Sequence, residues 1–465
     1  MHPDRLFSPD PTQRAIARRL LQQTSALPIL SPHGHTEPGW FANNEPFPNA
    51  AEVFIRPDHY VFRMLYSQGI SLHELGIPRA DGRLADEDPR SSWRRFAENY
   101  HLFRGTPSGY WLNYVFHFVF GMDKTLCAET ADEYYDAINV ALSGDEFRPR
   151  ALFDRFNIEL LATTESPIDT LEHHRTIRDS EWSGRVITAF RPDPVTDPDF
   201  DDFADNLDAL GDMTGLDCRK YSNYLDALRL RREFFKSMGA TSTDHGHPTA
   251  ATANLGARDA ETLFDKIKDG KAESRDAELF RAHMLIVMAE MSIEDGLVMQ
   301  IHPGSFRNHN RRVFEEYGRD KGADIPLRTD FVNDLRPLLD RFGNDRNLSV
   351  IVFTLDESSY SRELAPLAGH YPILKLGPPW WFHDSPEGML RMRRATHETA
   401  GFYNFVGFND DTRAFLSIPA RHDMARRMDS AHLAELVASH RLDEDEAAEL
   451  IVDLSYNFVK TAYNL

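Results

Sequence analysis

The stretch Ile29-Leu30-Ser31-Pro32-His33-Gly34-His35 decides how the rest of the chain is read. A short apolar run ends in two histidines two residues apart. In extended backbone, residues i and i+2 point to the same side, so His33 and His35 present both imidazoles together at a strand end. Two neutral imidazoles on one side are the start of a divalent-metal site. The spacing alone says little. With 20 histidines in 465 residues, about one His-x-His pair arises by chance. A second pair, His245-Gly246-His247, is indeed present. Polar loop histidines are the plain reading of either pair, and the first gains meaning only from the chain around it.

Working outward from that strand, short apolar runs alternate with charged, helix-patterned stretches. The runs are 28–31, 158–162, 186–190, 239–242, 297–301, 350–355, 372–376 and 402–408. Apolar strands alternating with helices imply βα units and a parallel sheet buried on both faces. Eight such units predict a closed (β/α)8 barrel of the TIM type. An open doubly wound sheet is the alternative, but no Gly-rich phosphate fingerprint follows any run. Residues 36–150 differ in texture: helical patterns at 58–67, 91–100, 110–120 and 131–142, many aromatics and no clear strand. The expected organisation is therefore a barrel from residues 1–35 and 151–465, with a mainly helical insertion, 36–150, after the first strand. A helix is expected over 10–23 and two more over 430–463. The acidic start of the last, Asp443-Glu444-Asp445-Glu446, suits a helix N-terminal dipole end.

Composition narrows the partners. A net charge of −21 argues against nucleic acid and anionic membrane, which need a basic face. Cys127 and Cys218 are the two cysteines, so a disulfide scaffold is excluded and a reducing compartment fits. Residues 1–20 are charged and lack an apolar signal core, and no apolar run approaches the roughly 18 residues of a membrane span. A cytoplasmic protein is expected.

In a barrel of this type the active site lies at the C-terminal strand ends. After the first run come His33 and His35; after the second, Thr163, Thr164 and Glu165; after the third, Arg191 and Asp193. The fourth is followed by Asp244, His245 and His247, the fifth by His302, the sixth by Asp356 and Glu357. Trp380 and Trp381 follow the seventh, and Asn409, Asp410, Asp411 and Arg413 the eighth. Thr163 and Thr164 fit helix caps, and His245 and His247 fit turn or cap positions. Strands one and eight are neighbours in a closed barrel, so His33, His35 and Asp411 or Asp410 can meet at one cation. Two imidazoles and a carboxylate leave positions open, as a catalytic metal requires.

Further motifs run through the chain in order: Pro57-Asp58-His59-Tyr60, Phe190-Arg191-Pro192-Asp193, Ser242-Thr243-Asp244-His245-Gly246, Gln300-Ile301-His302 with Arg307-Asn308, Gly377-Pro378-Pro379-Trp380-Trp381-Phe382, and Asp410-Asp411-Thr412-Arg413-Ala414-Phe415-Leu416. With His33-Gly34-His35 they make the chain resemble the uronate isomerase (glucuronate isomerase) family of the amidohydrolase superfamily. The Trp-Trp-Phe and Asp-x-Arg-x-Phe-Leu segments are specific to that family; His-x-His belongs to the whole superfamily. There are departures. Ser31 stands where the family often has Asp, and the nearest Arg behind strand six is Arg362. The fourth unit, Ala240-Thr241-Ser242-Thr243-Asp244, lacks the Lys that bridges two metals in other superfamily members. That favours one metal and weakens a hydrolase reading. The runner-up is a mononuclear metal-dependent hydrolase of the same barrel. A non-enzymatic sugar-acid binder would leave the acid–base residues unexplained.

The resemblance implies interconversion of aldohexuronates and ketohexuronates, D-glucuronate with D-fructuronate and D-galacturonate with D-tagaturonate, by proton transfer through an enediol. It implies one divalent metal, zinc the expected one, on His33, His35 and Asp411. Asp411, Tyr60, His59 and His302 are the expected proton-transfer groups, with helix capping or packing the plain alternative for His59 and Tyr60. Arg191, Arg413, Arg307, Trp380 and Trp381 are expected to bind substrate, the arginines because a guanidinium fork grips a carboxylate. One of the two tryptophans is expected in the core. The expected partners are a small-molecule hexuronate and further copies of the chain in a homo-oligomer.

Overall fold

The apolar runs pair in the order in which they occur. The computed structural model describes residues 1–83, 88–200 and 202–465. In it, β1 (Ile29–Ser31), β2 (Ile158–Glu165), β3 (Arg185–Phe190), β4 (Ser242–His245), β5 (Val298–Ile301), β6 (Val350–Val352) and β7 (Leu374–Leu376) form one parallel sheet in the order β1-β2-β3-β4-β5-β6-β7. Helices cover its outside, and the sheet curls as an α/β barrel does. Its inner face is apolar, with Leu30, Leu160, Val298, Ile351 and Val406 in one buried cluster. The C-terminal Tyr463 joins that cluster; its hydroxyl donates to Gln300 Oε1 at 3.1 Å and accepts from Asn409 Nδ2 at 3.1 Å.

Two expected strands are corrected. The run 402–408 is no ladder strand: Phe402–Asn404 is a 3-10 turn, and only Phe405 bridges to Leu376. Gly407 then takes φ +81°, where a Cβ would lie 2.6 Å from Val459 Cγ2; this left-handed residue bends the chain out of extended geometry. Closure on the far side comes from a loop, through His35 N–H donating to Thr412 O at 3.0 Å. The fourth strand is also shifted. Gly239, at φ +97°, ends the turn behind the helix Tyr221–Ser237, so the strand begins at Ser242 and contains Asp244 and His245.

Residues 36–150 carry helices where the apolar periodicity puts them: His59–Tyr66, Pro89–Glu98, Pro107–Tyr114 and Ala131–Leu142. Asp58 caps the first, its carboxylate accepting from Tyr60 N–H at 2.9 Å. The aromatic core of this segment is continuous with barrel residues. Ile29, Ile158, Phe415 and Ile418 belong to the same buried cluster as Phe41, Trp93 and Phe116. The helix Pro11–Gln23 forms with Asp10 as its cap. The C-terminal part is helical as Ile418–Ala438, Glu444–Val452 and Phe458–Ala462. Among the described residues no helix is long and apolar enough to cross a membrane.

Candidate active site

The two imidazoles of the first strand end meet the carboxylate behind the eighth run. Asp411 Oδ1 lies 3.6 Å from His33 Nε2 and 3.3 Å from His35 Nε2. Asp411 adopts φ +38°, a conformation that costs a side-chain-bearing residue energy and concentrates at functional sites. Burial pushes His35 down to about 4, so the imidazole is neutral at pH 7 and one ring nitrogen keeps its lone pair. Burial opposes ionisation of Asp411, yet the facing His33 and His35 hold its carboxyl well below the usual range. The donor set fits a borderline divalent cation: the ligating atoms of these residues lie within 4.8 Å of one another, and His33 Nδ1 is buried without a partner. The alternative, Asp410, points elsewhere and pairs with His422 Nε2 at 3.1 Å.

A second polar row crosses the sheet beside it. His302 Nδ1 lies 2.7 Å from Asp244 Oδ1, and Arg191 Nη1 lies 3.1 Å from Asp244 Oδ2. Arg191 Nε donates to Asp193 Oδ2 at 2.9 Å. Burial alone would raise Asp244; Arg191 and His302 hold its carboxyl well below the ordinary value. With Nδ1–H donated to Asp244, His302 keeps a lone pair on Nε2, which is buried without a partner. The His302 ring stacks on His33 at 4.8 Å between centroids.

His59 and Tyr60, with Trp380 and Trp381 after β7, line the rest of the cavity. His59 stacks on Trp381 at 4.5 Å; both its nitrogens are buried and unpartnered, and burial pushes it down to about 3. Burial pushes the Tyr60 phenol up, so it is a proton donor and no base. Neither residue caps the helix, since Asp58 does. Trp380 is 5% exposed and packs against His302, whereas Trp381 is half-buried at φ +51°. The residues expected to hold metal, bind substrate or move protons line one cavity: His33, His35, His59, Tyr60, Arg191, His302, Arg307, Trp380, Trp381, Asp411 and Arg413.

Two lining residues were given no role from the sequence. Asp244 was read only as one of the polar residues after the fourth run, and the structure places it inside β4. Asp320, at φ +60° in the loop between the short strands Ser305–Phe306 and Ile325–Pro326, accepts from Arg413 Nη2 at 2.9 Å; no sequence pattern marks it. Other expectations fail. Thr163 and Thr164 cap no helix but bond to His174 and to Gly34 O, at 2.8 and 2.9 Å. His245 and His247 are neither caps nor wall of this cavity. Arg362 pairs with Glu363 and is absent from the cavity wall.

Comparison with known proteins gives a consistent picture. The family model described as glucuronate isomerase matches residues 12–463. A uronate isomerase of Rhizorhabdus wittichii is 68% identical over 465 residues, covering 100% of this chain and 98% of that protein. The crystal structure of a glucuronate isomerase from Caulobacter crescentus superposes with a TM-score of 0.99 at 60% identity, covering 100% of this chain and 97% of the other. A uronate isomerase from Thermotoga maritima superposes at 0.92 with 27% identity, covering 100% and 99%.

Proposed function

The chain belongs to the glucuronate isomerase family, and we propose that its cavity interconverts D-glucuronate with D-fructuronate and D-galacturonate with D-tagaturonate by moving a proton. The observation that carries this is the convergence, in one cavity, of a two-histidine carboxylate set, three arginines and several acid–base groups. The hydrolase alternative is not favoured, because the relatives 68% and 60% identical over the whole chain are named isomerases.

The reaction makes four demands: the pyranose ring opens, a proton leaves C2, charge developing on the C1 and C2 oxygens is held, and a proton reaches C1. His33, His35 and Asp411 would hold the divalent cation, zinc in our reading, which supplies electrostatic stabilisation for that charge when bound. Arg191, Arg307 and Arg413 grip the substrate carboxylate and orient the sugar. Asp411 takes a hydroxyl proton as the ring opens. The neutral imidazoles of His302 and His59 are placed to accept a proton, and the Tyr60 phenol to donate one, at C2 and C1. Trp380 and Trp381 wall the cavity and limit water. The free Cys127 and Cys218 fit a reducing cytoplasm; assembly as a homo-oligomer belongs to the same reading, and cell fractionation with sedimentation tests both.

Incubation of the purified protein with D-glucuronate and D-galacturonate, followed by NMR, is the direct test. Appearance of either ketose is the expected result; no turnover, with hydrolysis of an ester or amide panel, would overturn it. Turnover in D2O reads the proton route. Deuterium entering C1 of the ketose stereospecifically supports it. Absence of solvent label, together with complete intramolecular transfer from C2-deuterated substrate, counts against it.

A further inference from the structure

Beside the candidate active site, on the opposite face of β4, lies a cluster of ligating side chains that the isomerisation leaves unused. Side chains alternate along a strand. Ser242 and Asp244 face Gln300 and His302. Thr243 and His245 face the other way, with 3.0 Å between Thr243 Oγ1 and His245 Nε2. There His245 meets His247 and Asp193. All three are buried, at 1%, 4% and 3% exposure, and their ligating atoms lie within 4.8 Å of one another.

The hydrogen-bond state of these rings points to a ligand. His245 Nδ1 and both nitrogens of His247 are buried with no partner, whereas buried polar groups are ordinarily satisfied. If His245 Nε2–H donates to the Thr243 hydroxyl, Nδ1 keeps its lone pair, the arrangement that outer hydrogen bonds impose on metal-binding histidines. His247 Nε2 is 4.0 Å from Asp193 Oδ1. The Asp193 carboxylate is already oriented, by Gly246 N–H at 3.1 Å and by Arg191 Nε at 2.9 Å. A Cβ on Gly246 would lie 2.9 Å from Asp193 Oδ2 and 2.4 Å from Arg191 Nη2, so the glycine between the two histidines is what lets these groups approach. Burial keeps both imidazoles neutral, pushing His245 down to about 3 and lowering His247.

We propose that Asp193, His245 and His247 form a second divalent-metal site, distinct from the one at His33, His35 and Asp411. Two imidazoles and one carboxylate select a zinc-class cation over magnesium or calcium, and three protein ligands leave a fourth position open. The surrounding charge tolerates a cation. Arg191, which shares Asp193, is also paired with Asp244. Arg281, near His247, is neutralised by Asp197 at 2.7 Å, Asp199 at 2.6 Å and Glu278 at 2.9 Å. Since Asp193 holds both the cation and Arg191, the site ties the ends of β3 and β4 together and fixes one guanidinium of the substrate cavity.

Metal counting on zinc-saturated, then dialysed, full-length protein tests this. The wild type is expected to hold two equivalents of zinc, and His33→Ala/His35→Ala and His245→Ala/His247→Ala one each. Cobalt(II) titrated into the His33→Ala/His35→Ala protein is expected to give a visible d–d band saturating at one equivalent, abolished by adding His247→Gln. One equivalent in the wild type and none in His33→Ala/His35→Ala overturns the proposal. So does a second equivalent that survives in His245→Ala/His247→Ala. If that last variant does not fold, the wild-type count and the cobalt titration decide alone.

Discussion

Arg413 and Arg191 both line the cavity, yet their surroundings give them different costs of removal. The Arg413 side chain is 35% exposed and pairs with Asp320, itself 48% exposed; exposed pairs contribute little to stability. Arg413→Met is expected to lower kcat/KM by about 10²-fold or more, the order seen when a charged donor to a transition state is lost, with Tm unmoved. Arg191 lies between Asp193 and Asp244, whose side chains are 4% and 1% exposed. Removing it leaves two buried carboxylates without their cation, a loss of about 3–5 kcal/mol. Arg191→Met is therefore expected to cost both activity and Tm, measured by calorimetry beside Arg413→Met. From the sequence both arginines read alike, as substrate groups; burial separates them.

At the scale of the element, the ends of β2 and β3 contain a pH-sensitive contact. The Thr188 hydroxyl donates to Glu165 Oε2, and His174 Nε2 lies 3.7 Å from the same oxygen. Burial, reinforced by Asp169 and Glu37, pushes Glu165 up to about 8 against the opposing hydrogen bonds of Thr163 and Thr188. Between the ordinary glutamate value and about 8 the folded chain keeps a proton that the unfolded chain has released. Stability is therefore full below that window and falls as pH rises through it, by at most about 1.4 kcal/mol per pH unit. Glu165→Gln, which mimics the protonated form, is expected to flatten the decline of denaturant stability from pH 5 to pH 8 and to exceed the wild type at pH 8. A steeper decline in the variant would refute this account.

For the molecule as a whole, residues 36–150 share one apolar core with Ile29, Ile158 and Phe415 beside the sheet. Phe415, just after the Asp-x-Arg segment, packs edge-on against Phe41 of the insertion at 5.1 Å and against Phe156 at 5.6 Å. Phe415→Ala is expected to destabilise by about 3–5 kcal/mol through the cavity it leaves, read as a fall in the urea midpoint. Because His59 and Tyr60 reach the cavity from the insertion, activity is expected to fall in parallel. A variant with lowered stability and full activity at low temperature would show that the two parts are not coupled at the site.

What the sequence by itself determined was the alternation of apolar runs and helices, hence a parallel α/β barrel, and the family motifs that name the cavity's residues. Helix limits such as His59–Tyr66 and Ala131–Leu142 were legible because apolar period and capping residues are local signals. The tertiary structure alone decided the register of β4, since a one-residue slip exchanges the faces of a strand and Gly239 belongs to the turn before it. It alone brought Asp320 to Arg413 from a loop with no periodicity, and it replaced the eighth strand by a single bridge, because Gly407 packs against the C-terminal helix residue Val459. That His245 lies apart from the cavity of His33 and Asp411 likewise follows from which face of β4 turns inward, and that is set by packing against β3 and β5 and not by the residue's spacing in the chain.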